Sequence, residues 1–76
     1  MSEPIEACHR AVGARVEQIR RTLGKTQDDV AKIVGLTRAS IANIETGRQR
    51  LLLNTAEDLA VALGTTPKNL FKGIWW

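Results

Sequence analysis

The chain of 76 residues holds one cysteine, two prolines, one phenylalanine, two tryptophans and no tyrosine. A single thiol excludes an internal disulfide and any multi-cysteine zinc site. His9 has no cluster of Cys, Asp or Glu at metal-ligand spacing, so no metal is expected. No apolar run approaches the ~18 residues that span a bilayer. The opening MSEPIEACHR has neither a basic n-region nor an apolar h-region, so a cytoplasmic protein without membrane contact is the expectation. No nucleophile–base pair, glycine-rich phosphate loop or carboxylate dyad can be placed. Neither an enzyme nor a cofactor is expected. The alternation of polar and apolar residues that marks strands is absent as well.

What remains is a short chain with enough apolar residues, 43%, for one small core. Its net charge is only +3, but the distribution is uneven. Residues 20–50 carry seven Lys/Arg against three Asp/Glu, and the rest carries four against five. The basic surplus belongs to the middle of the chain.

Apolar residues recur at intervals of three and four, the helical period. The first helix is expected from near Pro4 to before Gly24, with Ile5, Cys8, Val12, Val16, Ile19 and Leu23 on one face. Gly13 costs that helix about 1 kcal/mol relative to Ala, which favours fraying of its first turns. Thr26 caps a second helix, with Asp29 three residues on as in a capping box and Asp28 beside the positive helix end. Val30, Ile33 and Val34 are expected inside, and Gly35 stops the helix. Thr37 caps the third helix, and Leu36 can staple onto Ile41. Gly47 ends it and leads into the basic loop GRQR. A fourth helix is expected from about Leu52 to Leu63, with Leu59, Ala60, Ala62 and Leu63 inside. Thr66 and Pro67 open a short fifth helix through Leu70 and Phe71. The fold class is therefore all-α, with five helices in one compact domain.

The third helix separates cleanly on a wheel of about 100° per residue. With Arg38 at zero, Ala42, Thr46, Ala39 and Asn43 fall at roughly 40°, 80°, 100° and 140°. Ile41 and Ile44 fall opposite, at roughly 300° and 240°. One side is committed to a core and the other presents small polar groups with nothing bulky among them.

The register GKTQDDVAKIVGLTRASIANIETGRQR, followed by LNTAEDLAVALG and TTPKNLF, resembles the lambda-repressor/Cro-like (XRE-type) helix-turn-helix domain. The likeness covers about residues 13–71, and its joint spacing is specific: Thr26-Gln27, Ala31, Gly35, Ile41, Ile44-Glu45, Gly47, Leu59-Ala60 and Leu63-Gly64. It makes residues 1–12 an extension running into the first helix and 72–76 an apolar tail. The resemblance implies that the third helix enters the DNA major groove while Gln27 meets the phosphate backbone and can also reach a base. It further implies an ion pair between Arg20 and Glu45 that turns Arg20 toward a phosphate, and a homodimer on a near-palindromic operator. Leu51 and Leu52 depart from the family's usual Pro and small polar cap, which leaves the fourth helix uncapped unless Asn54 serves. Lys25 stands where the family has Leu.

On this reading Arg38 can pair with guanine O6 and N7 and Asn43 with adenine N6 and N7, with Ala39 and Ala42 against thymine methyls. Ser40, Thr46, Arg48 and Arg50 suit phosphates. Cys8 reads as a small core hydrophobe. Leu51, Leu52, Phe71, Ile74, Trp75 and Trp76 form more apolar surface than a small monomer should expose, and are expected at a dimer contact. The competing reading is a protein-interaction module on the same scaffold, an antitoxin or anti-activator with a protein partner. The terminal apolar clusters support it and the basic reading face opposes it.

Overall fold

Helical periodicity resolves into five helices among the described residues: α1 (Glu3–Thr22), α2 (Gln27–Val34), α3 (Arg38–Glu45), α4 (Leu53–Ala62) and α5 (Pro67–Phe71). The computed structural model describes residues 3–74, with side chains from residue 7 onward; Ile5 as a core position, Trp75 and Trp76 lie outside them. Threonine oxygens begin three of the helices. Thr26 accepts from Asp29 N–H, Thr37 from Ser40 N–H and Thr66 from Asn69 N–H. Each such cap is worth about 1 kcal/mol to helices this short. The capping box is complete, because Asp29 Oδ2 accepts from Thr26 N–H at 2.8 Å. α4 has no such help: Leu52 occupies its N-cap with no side-chain bond, and Asn54 lies inside the helix.

The core draws Val12 and Val16 from α1, Val30 and Ala31 from α2, and Ile41 and Ile44 from α3. Ala56, Leu59 and Ala60 of α4, Leu63 beyond it, and Leu70 and Phe71 of α5 complete it. Fully burying Ile41 or Ile44 contributes about 1.5–3 kcal/mol each. Two expected core residues are not there: Ile33 is 57% exposed and Leu23 is 49% exposed. α2 packs against both α3 and α4. Its inner face is therefore centred midway between the buried Val30 and Ala31, close to Val34, which leaves Ile33 roughly 110° from that centre. Leu23 lies beyond the last turn of α1, where Gly24 takes φ 72° and turns the chain away. Ala62 is only half-buried, while Ala31 and Ala56 are fully enclosed.

Gly13 also reads differently in three dimensions. It is buried, and a Cβ there would overlap the Ile44 carbonyl oxygen and lie 2.9 Å from that of Glu45. The glycine is thus the crossing point where α1 meets the last turn of α3. It is a contact, not a weak spot. Gly47, at φ 77°, is similarly close to Arg10, with its missing Cβ 3.0 Å from Arg10 Cα. At the other end, Arg15 Nη1 donates to the carbonyls of Asn69 at 3.2 Å, Leu70 at 3.4 Å, and Lys72. A cation on the open carbonyls at the end of α5 ties that helix to α1. Cys8 is half-buried, its Sγ 4.0 Å from the Ile74 carbonyl oxygen.

Gly13→Ala sets two effects against each other. The alanine gains about 1 kcal/mol of helix propensity, but overpacking against carbonyls that cannot move costs about 1–3 kcal/mol or more. The overlap is with main chain, so packing wins: the melting temperature should fall by about 10 °C, given about 4–8 °C per kcal/mol at this size. A melting curve at or above that of the wild type would show that the crossing yields freely.

Candidate nucleic-acid interface

The α2–turn–α3 unit is two helices of eight residues each. Helices that short are marginal alone, so their mutual angle must be imposed from outside them. Gly35 supplies the turn at φ 73°, with its own N–H and that of Leu36 returning to the Ala31 carbonyl. Leu36 packs on the core edge, and Ile41 and Ile44 hold the inner side of α3.

Glu45 provides the polar counterpart of that core. Its side chain is 1% exposed and meets Arg20, whose side chain is 9% exposed. Arg20 Nε donates to Oε2 at 2.7 Å and Nη2 to Oε1 at 3.0 Å, a bidentate fork. Arg20 Nη1 donates to the Lys25 carbonyl at 2.9 Å, and Gln27 Nε2 donates to Glu45 Oε1 at 3.0 Å. One carboxylate thus joins the end of α1, the start of α2 and the end of α3. The hydrogen bonds that Arg20 donates to Glu45 hold its guanidinium above its ordinary range, against the opposing effect of burial. Asp29 is held below its ordinary range by the backbone and hydroxyl hydrogen bonds of Thr26.

The outer side of α3 shows Arg38 and Ala39 exposed, with Ser40, Ala42 and Asn43 half-buried. The Ser40 hydroxyl accepts from Thr37 Oγ1 at 3.1 Å, which leaves its own proton available. Thr46 is exposed, but its hydroxyl turns back onto the carbonyls of Ala42 at 3.0 Å and Asn43 at 3.3 Å. Arg48 and Arg50 are exposed in a loop anchored by Arg48 N–H and Gln49 N–H on the Asn43 carbonyl. Arg38 and Gln27 come together in a concavity of about 400 Å³ that Arg20, Arg21, Lys25, Thr26 and Asp28 also line. Four cations and one acid surround it.

Of the expected dimer residues, Phe71 is 5% exposed, and Leu51 and Ile74 pack against the core. Their apolar surface is used within the domain. Leu52 is 65% exposed, and Leu53 and Val61, which were not singled out, are exposed on α4 as well. The Lys25 carbonyl as a partner of Arg20, and the α5 carbonyls as partners of Arg15, were also missed. Backbone acceptors leave no mark in side-chain spacing.

Residues 11–70 match the family model described as a helix-turn-helix domain, and the chain belongs to that family. Among solved structures it is similar to the restriction-modification controller protein C.AhdI from Aeromonas hydrophila. That match has 31% identity and a TM-score of 0.82, covering 86% of this chain and 98% of the other. It is also similar to the clp gene regulator ClgR from C. glutamicum, at 20% identity and a TM-score of 0.81, over 84% of this chain and 83% of the other. No curated protein matches it significantly. The resemblance to Cro/lambda-like domains is the one these matches support, and the five-helix fold is that of helix-turn-helix transcription regulators, a non-enzymatic class. No helix among the described residues is long and apolar enough to cross a membrane.

Glu45→Leu strands the Arg20 charge in a buried site and should cost about 3–5 kcal/mol in urea unfolding. The double variant Arg20→Met/Glu45→Leu should recover most of that loss, since neither charge then needs a partner. Equal losses in the single and double variants would show that the ion pair is not the source.

Asp29 gives the domain an acid-side dependence. Its native pKa lies below the ordinary 3.8, so its contribution is complete above that value and is lost as pH falls through the native one. Arg20 moves the other way: its guanidinium is held above the ordinary arginine range, so its contribution is lost only in strong alkali. The gap in urea midpoint between wild type and Asp29→Ala should therefore be full at neutral pH and close below about pH 3.8. A gap that stays constant into acid would contradict a charged capping box.

Proposed function

We propose that the chain is a sequence-specific DNA-binding transcriptional regulator that occupies a near-palindromic operator as a homodimer. The observation that carries this reading is the division of α3. Ile41, Ile44 and Glu45 are buried, while Arg38, Ala39, Ala42 and Asn43 form a face slim enough to enter a major groove. Cationic loops flank that face. The likeness to a restriction-modification controller protein and to a clp gene regulator supports the regulatory role.

Mechanistically, Arg38 reads guanine O6 and N7, Asn43 pairs with an adenine edge, and Ala39 and Ala42 let the helix approach and meet thymine methyls. Ser40, Arg48 and Arg50 fix the register on phosphates, with Ser40 using its remaining proton. Thr46 closes α3 instead of contacting phosphate, because its hydroxyl proton and its N–H both go to the Ala42 carbonyl. Arg20 acts through Glu45 and Lys25 as a positioning residue: three of its five N–H groups donate within the protein and its side chain is only 9% exposed. Dimerisation is supported by the exposed apolar side chains of Leu52, Leu53 and Val61, which a second copy would cover.

Binding to selected duplexes across salt tests the reading. Affinity should fall steeply with ionic strength. Arg48→Ala should weaken all sequences alike and reduce the salt slope by about 1, whereas Arg38→Ala should cost about 1–3 kcal/mol at a single base position. Equal affinity for every sequence would remove the specific-operator reading. A monomer mass that stays constant across concentration, with and without operator, would remove the homodimer.

A further inference from the structure

Arg15 ties the end of α5 to α1 through one nitrogen only. Its bonds to the Asn69, Leu70 and Lys72 carbonyls all start from Nη1. A guanidinium has five N–H groups, and the three on Nε and Nη2 enter none of these bonds. That pair of nitrogens is the fork with which Arg20 grips Glu45, Nε on one oxygen and Nη2 on the other. On Arg15 no acid answers it: the ion pairs among the described residues involve Arg20, Arg21 and Lys32.

Arg15 lines a cleft of about 600 Å³ between α1 and the end of α5. Gln18 and Thr22 bring polar groups to it, Ile19 and Leu23 an apolar wall, and Lys72 a second cation. Leu23 is 49% exposed, so its apolar surface is not used by the core. Asn69 and Lys72 also border an adjoining hollow of about 470 Å³, to which Lys68 contributes a third cation. No carboxylate lines either space. The volume falls in the range of about 300–1,000 Å³ that small-ligand sites occupy. Its side of α1 is also distinct. Counting about 100° per residue from Val12, Gly13 and Arg20, which meet α3, lie at roughly 100° and 80°. Arg15, Thr22 and Gln18 lie at roughly 300°, 280° and 240°, on the opposite side of the helix.

We propose that this cleft binds a small amphipathic carboxylate, its head on the Nε/Nη2 fork of Arg15 and its apolar body against Ile19 and Leu23. The planar fork matches a planar carboxylate in two parallel bonds, and Lys72 adds positive charge beside it. The Nη1 bonds hold the guanidinium before a ligand arrives, so little side-chain freedom is left to lose on binding. An uncharged apolar molecule leaves the fork unused, and a bare anion leaves the apolar wall in water. The ligand joins α1 to the end of α5 and therefore stabilises the folded chain by mass action. Because the cleft faces away from α3, the proposal stands independently of the DNA reading.

Titrating the full chain with octanoate, followed by NMR and without DNA, tests the site. Octanoate should shift the Arg15 Nε–H signal and the backbone amides of Gln18, Thr22, Asn69 and Gly73 saturably, and should raise the melting temperature. Acetate, octanol and octyl phosphate should each bind more weakly by about 10-fold or more. Arg15→Lys keeps a cation for the α5 carbonyls but has no fork, so it should lose octanoate affinity by about 10-fold. Leu23→Ser, at an exposed position, should weaken octanoate and leave acetate unchanged. Unaltered octanoate affinity in Arg15→Lys would overturn the proposal. So would shifts centred on Leu52, Leu53 and Val61, which would mark adsorption to apolar surface, or octyl phosphate binding as tightly as octanoate, which would mark a general anion site. If Arg15→Lys unfolds, the wild-type Arg15 Nε–H signal and Leu23→Ser still decide: a signal that octanoate leaves in place overturns the site.

Discussion

The carboxylate of Glu45 is the constraint on which the reading unit depends. A core of aliphatic side chains fixes distances between helices well but resists rotation about a helix axis weakly, because apolar contacts are non-directional. Hydrogen bonds supply the missing direction. Arg20 from α1 and Gln27 from α2 converge on one buried carboxylate at the end of α3, and Arg20 also holds the Lys25 carbonyl just before α2 begins. A small slip of α3 along its axis would break several of these bonds at once. The buried ion pair costs desolvation and adds little net stability compared with apolar packing. Its value here lies in register: it sets which residues of α3 face outward.

Gly13 completes that placement from the opposite side. Without a Cβ, α1 meets the carbonyls of Ile44 and Glu45 directly, so the last turn of α3 lies between a main-chain contact and a charged fork. Two features that look unfavourable in isolation, a glycine inside a helix and a buried charge, are thus explained by the same neighbour. Both depart from local rules where the molecule must be most exact about position, which is where such departures are expected.

Local chemistry was legible in the sequence and tertiary approach was not. The threonine caps, the capping box, the glycine turn and the inner face of α3 could all be read, because each involves residues within a turn of one another. The Arg20–Glu45 pair came from a family resemblance, since nothing in a separation of 25 residues announces contact. Ile33 was misplaced because an eight-residue helix covered from two sides has its inward direction set by its neighbours, not by its most apolar residue. The expected dimer surface shrank for a related reason. Leu51, Phe71 and Ile74 look surplus when counted along the chain, yet a domain this small needs them to close its own core. Arg15 bonds to carbonyls that every residue possesses, so its partners had no signature to find.

These points bear on where specificity resides. With alanines at 39 and 42 the outer face of α3 carries few hydrogen-bonding groups, so on the proposed DNA reading it relies on accurate placement rather than on the number of its contacts. Placement comes from α1, through the close approach at Gly13 and through the fork that Arg20 makes with Glu45. The same carboxylate sets both the register of α3 and the position of the Gln27 amide beside it. Changes at Glu45 therefore act on both helices together, whereas changes at Arg38 and Ala39 on the exposed face of α3 leave the buried network in place. On the proposed DNA reading, an altered sequence preference is accordingly easier to reach through Arg38 or Asn43, on the outer face of α3, than through the buried network that holds that helix.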